Sequence, residues 1–146
     1  VELDFDFDKV KEKTKDNPIF YVQYAFARIN SLLRVLNISL NDKIKLKEEN
    51  FNLNENEEKI VRKIFEWPKV IESASKKFEL HKIPFYLYEL STLFHAYWSK
   101  GNEDKRYRFI ENEKIKRIEI LAIIYLVAIV IQNGMKILGV SLPKKM

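Results

Sequence analysis

The chain has 146 residues, 47% of them hydrophobic and 32% charged, a balance that supports one domain spanning 1–146 and excludes a disordered chain. It contains no cysteine, which excludes disulfides and thiolate metal sites, and only three glycines and four prolines, too little turn chemistry for a many-stranded β fold. A formal net charge of +5 favours an anionic partner, nucleic acid before anionic membrane, without identifying either.

Residues 1–16 mix acidic, apolar and basic side chains, and Phe5 and Phe7 are expected to pack this leader on the domain surface, although their spacing equally suits a short strand. The chain opens on Val1 with neither an initiator methionine nor a signal peptide, so it is expected to be a processed product or a piece of a longer polypeptide. Asp16 or Asn17 can cap a helix whose first turn accepts Pro18. From there Ile19, Val22, Phe26, Ile29, Leu33 and Leu36 recur at steps of three and four, one apolar stripe. Tyr21, Tyr24, Arg28 and Ser31 fall on a second stripe, well round the helix from the first.

The segment 37–56 is rich in lysine and asparagine and reads as a long polar connection with one amphipathic turn near Ile44–Leu46. Helical spacing returns from Glu57 to Glu66, and Pro68 opens a helix carrying Val70, Ile71, Ala74 and Phe78. Pro84 opens another, with Leu87, Leu90, Leu93, Phe94 and Tyr97 inward and Gly101-Asn102 as its end. Residues 103–117 read as a charged loop. From Ile120 to Ile131 the only polar side-chain atom is the Tyr125 hydroxyl. That run is shorter than the roughly twenty residues of a membrane span, and Gln132, Asn133, Gly134 and Lys136 interrupt it, so a buried central helix is expected. The fold class expected is all-α, a bundle of about five to seven helices with the polar connection near 37–56.

Two blocks carry a family resemblance. Asp16-Asn17-Pro18-Ile19-Phe20-Tyr21-Val22-Gln23-Tyr24-Ala25-Phe26-Ala27-Arg28-Ile29 resembles the helix that opens the C-terminal anticodon-binding (DALR-type) domain of arginyl-tRNA synthetases. Gln132 to Met146 looks like that family's terminal segment, with Tyr86-Leu87-Tyr88-Glu89-Leu90 and Phe94-His95-Ala96-Tyr97-Trp98 in order between them. Two positions depart from the family pattern. Phe26 stands on the core stripe where the family usually has histidine, and Ile120 stands where it tends to have arginine, with Arg117 one turn earlier as a candidate substitute.

The resemblance implies tRNA(Arg) as partner, chiefly through its anticodon loop, and a cytoplasmic parent enzyme that attaches arginine using ATP with magnesium. The two catalytic signature motifs of that enzyme are not found in these 146 residues, so this segment is expected to bind rather than catalyse, with no catalytic residue, metal or cofactor of its own, beside its own catalytic domain in the longer chain. Every arginine anticodon has cytosine in the middle. An unpaired cytosine is read by stacking on an aromatic face and by hydrogen bonds to its Watson–Crick edge. By resemblance Tyr21, Tyr24 and Arg28 supply stacking and donors, Tyr86 faces RNA in preference to Tyr88, and the Met146 carboxylate accepts from the cytosine amino group. Lys105, Arg106, Arg108, Lys144 and Lys145 are candidates for phosphate contact.

Blander readings of the same residues stay open. The tyrosines could pack beneath another helix with Arg28 paired to an acid, and Phe94 and Trp98 are core candidates. His81 and His95 are expected to be satisfied structural histidines, since two histidines fall short of a zinc site. Two other functions are a protein–protein interaction module using the aromatic face and a tail-anchored membrane protein using Ile120–Ile131; the reading adopted has no membrane partner.

Overall fold

The computed structural model describes residues 17–44 and 52–143. Among them are five α-helices: α1 (Pro18–Val35), α2 (Glu55–Phe65), α3 (Trp67–Lys77), α4 (Lys82–Glu103) and α5 (Ile118–Ile137). A 3-10 turn (Lys105–Tyr107) and a short antiparallel hairpin, β1 (Ile110–Glu111) with β2 (Lys114–Ile115), separate the last two helices. The helical class holds, and the hairpin corrects the expectation of an unstructured charged loop. Its turn places Asn112 and Glu113 at positive φ (48° and 59°), the backbone twist that two-residue hairpins favour.

Helix ends follow the local chemistry. Asn17 caps α1 by accepting from Ile19 N at 3.0 Å and Phe20 N at 3.3 Å. Asn54 and Glu57 form a reciprocal capping box on α2, with Glu57 Oε2 accepting from Asn54 N at 2.9 Å. Pro68 sits in the first turn of α3, where its missing N–H has no partner to lose. Gly101 does not end α4, which runs on to Glu103. Glycine allows a close approach there: a Cβ would meet the Arg108 Cα and Tyr107 O at 3.2 Å, a tight contact.

The expected apolar stripe of α1 faces the core, with Val22, Phe26, Ile29 and Leu33 buried. Phe26 packs within that core, as its place on the stripe suggested. The central element is α4, which packs against α1, α2, α3, α5 and the 3-10 turn. That corrects the assignment of α5 as the central helix. The helix α5 is long and apolar enough to cross a membrane, yet 56% of its most apolar window is buried in the bundle, and it crosses α4 where Gly134 lies against Leu87. The described part of the polar connection is tied to α5, the Tyr125 hydroxyl lying 2.6 Å from Leu40 O and 2.9 Å from Asp42 O. Of the amphipathic turn expected near Ile44–Leu46, only Ile44 is among the described residues, partly buried against the core.

Candidate nucleic-acid interface

At 100° per residue, positions i, i+3 and i+7 fall within a narrow arc of a helix, so Tyr21, Tyr24 and Arg28 share one face of α1. That face meets one side of α4 carrying Tyr88, Thr92 and His95, again at i, i+4 and i+7. The contact leaves Tyr21, Tyr24 and Arg28 half-buried, neither sealed in the core nor free on the surface.

Within this cluster Arg28 is the hub. Its Nη2 donates to the Tyr24 hydroxyl at 2.8 Å and its Nη1 lies 3.0 Å from His95 Nδ1. The guanidinium carbon sits 4.2 Å from the Tyr24 ring centroid and 5.4 Å from that of Trp98, cation–π distances. Tyr21 packs against His95 (4.3 Å) and Tyr88 (5.3 Å), and Tyr24 stacks on His95 at 5.5 Å and 26°. Burial, reinforced by the neighbouring Tyr88 phenol, raises the Tyr21 pKa above the usual phenol range, with Arg28 pulling the other way. Burial pushes the His95 pKa down to about 4, the Arg28 charge adds to that, and the hydrogen bond to the Tyr21 carbonyl opposes it. His95 is therefore a neutral imidazole near pH 7.

Tyr86 does not belong to this face. It is 3% exposed, its hydroxyl donates to Lys63 O at 2.6 Å, and its ring stacks on Trp67 at 5.2 Å. Tyr88, 37% exposed, takes the outward position beside Tyr21. The sequence held the signal: Tyr86 lies four residues before Leu90 and seven before Leu93, in line with the inward stripe, whereas Tyr88 is 200° round from it at the ideal pitch. His95 is buried, as a structural histidine should be; what spacing could not reveal is that both its ring nitrogens serve α1. The Nε2 lies 3.2 Å from Tyr21 O.

Met146, Lys144 and Lys145 lie outside the described residues. The chain just before them is well placed: Gly139, at φ 69°, ends α5 with a left-handed turn, and Ser141 O then accepts from Gln23 Nε2 at 2.8 Å, one residue from Tyr24. Of the other basic candidates, the two arginines fold back on their own segment. Arg106 pairs with Asp104 at 2.7 Å and Arg108 Nε donates to Gly101 O at 3.1 Å, whereas Lys105, whose carbonyl accepts from Lys116 Nζ at 3.1 Å, is exposed. Arg117 is occupied at the α2–α5 junction, where Nη2 pairs with the buried Glu57 carboxylate and Nη1 donates to Asn52 O at 2.7 Å. Phe94 is fully buried, and Trp98 is half-buried against Phe94 and Phe109. Among the described residues no group of three or more His, Cys, Asp or Glu side chains is placed to hold a metal ion.

Comparison with known proteins gives the family. The DALR anticodon binding domain matches residues 22–146. The chain is 50% identical, over its whole length, to 25% of an arginine–tRNA ligase from Pelagibacter ubique, and 41% identical, over 99% of its length, to 26% of one from Rhizobium meliloti. It thus spans about a quarter of the length of these curated relatives. A solved structure described as an arginyl-tRNA synthetase from Campylobacter jejuni shares the fold, with a TM-score of 0.75 at 24% identity over 97% of this chain and 29% of that one. A helical bundle whose first helix carries the aromatic–arginine face, matched along nearly all its length, belongs to the DALR anticodon-binding domain family.

Proposed function

We propose that this domain reads the anticodon loop of tRNA(Arg) and positions that tRNA for ATP-dependent arginylation by a catalytic domain elsewhere in a longer, cytoplasmic arginine–tRNA ligase. The ATP and its magnesium would be handled outside these 146 residues. The observation that carries the reading is the half-buried cluster of Tyr21, Tyr24 and Arg28 at the α1–α4 seam. Cytosine presents an amino donor and two acceptors on its Watson–Crick edge. Two of the five guanidinium N–H groups are used within the protein, leaving three for the base acceptors. The phenol rings offer stacking faces, and Tyr88 extends them on the outward side.

The amino group needs an acceptor, and the Met146 carboxylate is the proposed one. Ser141 O accepts from Gln23 Nε2 at 2.8 Å, next to Tyr24 in the chain, and that contact is what supports this part of the proposal.

The test is binding of the chain to an anticodon stem-loop with cytosine in the middle, against the same stem-loop with that base changed. Tighter binding to cytosine is expected. Tyr24→Ala should weaken the cognate complex by about 1–3 kcal/mol, the worth of one stacked base. Equal affinity for both stem-loops defeats specific reading, and an unchanged Tyr24→Ala affinity removes Tyr24 from the contact.

A further inference from the structure

His95 is 5% exposed, too buried to touch an RNA base itself, yet both its ring nitrogens are committed to the face that would. A guanidinium only donates and a carbonyl only accepts. Nδ1 must therefore accept from Arg28 Nη1, and Nε2 must carry the hydrogen and donate to Tyr21 O. One neutral tautomer satisfies both contacts at once. An imidazolium satisfies only one and places a second positive charge against Arg28.

A carboxylate in this position would also hold the guanidinium, but it would neutralise the charge that attracts RNA. A neutral acceptor orients without neutralising. The imidazole ring, packed against Tyr21 at 4.3 Å and Tyr24 at 5.5 Å, also fills the space between the two phenols.

We propose that His95 is a positioning residue for base recognition: its Nδ1 fixes the plane of the Arg28 guanidinium, and so the direction of the N–H donors left for the cytosine. This rests on the reading of Arg28 as a cytosine contact.

Three variants separate the roles of the ring. His95→Asn can present an amide oxygen near the Nδ1 position. His95→Gln can present an amide nitrogen near the Nε2 position. His95→Phe keeps a ring and loses both nitrogens. The quantity measured is the ratio of affinities of the 146-residue chain for stem-loops with cytosine or uracil in the middle. His95→Phe and His95→Gln should lower that ratio about tenfold, while His95→Asn keeps it within about threefold of wild type, because one hydrogen bond to a charged group decides it. A packing role alone predicts the opposite order, with phenylalanine tolerated best. On the unsubstituted chain, imidazole nitrogen NMR should show His95 neutral at pH 7 with its hydrogen on Nε2, which requires no variant to fold.

A hydrogen on Nδ1, a retained ratio in both His95→Phe and His95→Gln, or a loss in His95→Asn as complete as in His95→Phe would each overturn the proposal. Arg28→Ala distinguishes the two levels. If it abolishes discrimination while His95→Phe does not, only the positioning role fails. If discrimination survives Arg28→Ala, the reading of Arg28 falls, and the positioning role with it.

Discussion

Two arginines of the bundle are partnered in opposite ways. Arg117 pairs with Glu57, whose side chain is fully buried and also accepts from the Tyr97 hydroxyl at 2.6 Å. Arg28 is held by a phenol and a neutral imidazole, and among the described residues it takes part in no salt bridge. The first arrangement consumes a charge to seal the junction of α2 with α5. The second orients a charge and leaves it available. An arginine's partner thus says more about its work than its burial does, since both side chains are only partly exposed.

The strongest way to break this contrast is at the sealed end. Arg117→Met would leave the Glu57 carboxylate buried without its cation. The expected loss is about 3 kcal/mol in urea unfolding, the lower end for orphaning a buried charge because the Arg117 side chain is itself 36% exposed. The cytosine preference of the folded protein should not change. A stability loss no larger than that of an ordinary surface substitution would show that Glu57 does not depend on this pair.

The Arg28 end is tested by acid. An unfolded histidine titrates near 6.5, and His95 in the fold near 4, so between those values the unfolded chain binds the extra proton. The His95 contribution is complete above pH 6.5 and is lost as pH falls through 4, about 3 kcal/mol in all. Carboxylates with lowered pKa, such as Glu55, Glu79 and Asp104, act only lower in the range, so the His95 contribution is best sought between 6.5 and about 5. His95→Phe should flatten unfolding free energy against pH across that interval. A slope unchanged by the substitution would assign it to another group.

The smallest expected effects sharpen the comparison within α4. Tyr86→Phe removes one buried hydrogen bond and should cost about 1 kcal/mol of stability with RNA affinity intact. Tyr88→Ala should do the reverse, weakening stem-loop binding with little change in unfolding. If Tyr86→Phe weakened RNA binding and Tyr88→Ala did not, the assignment of inner and outer faces would be reversed.

How far these regions could be read in the sequence follows from their periodicity. The first helix declared both its faces, because Val22, Phe26, Ile29 and Leu33 keep the helical repeat while Tyr21, Tyr24 and Arg28 keep it elsewhere on the surface. The hairpin stayed hidden because two-residue strands flanked by charges carry no repeat. Its turn uses Asn112-Glu113, where glycine would have been the recognisable second residue. Gly101 read as a stop signal because a glycine at a close approach looks the same in sequence as one that ends a helix.

By itself the order of residues determined the helical class, the buried side of α1, its Asn17-Pro18 start and the grouping of Tyr21, Tyr24 and Arg28, all consequences of local spacing and capping. Only the tertiary structure decided that α4 is the central helix, that Tyr88 rather than Tyr86 looks outward, and that His95 and Glu57 are the partners of Arg28 and Arg117. The reason is physical. A helical repeat specifies which side chains share a face, but their partners depend on how α1, α2 and α5 are docked on α4, across sequence separations of 67 residues for Arg28 with His95 and 60 for Arg117 with Glu57.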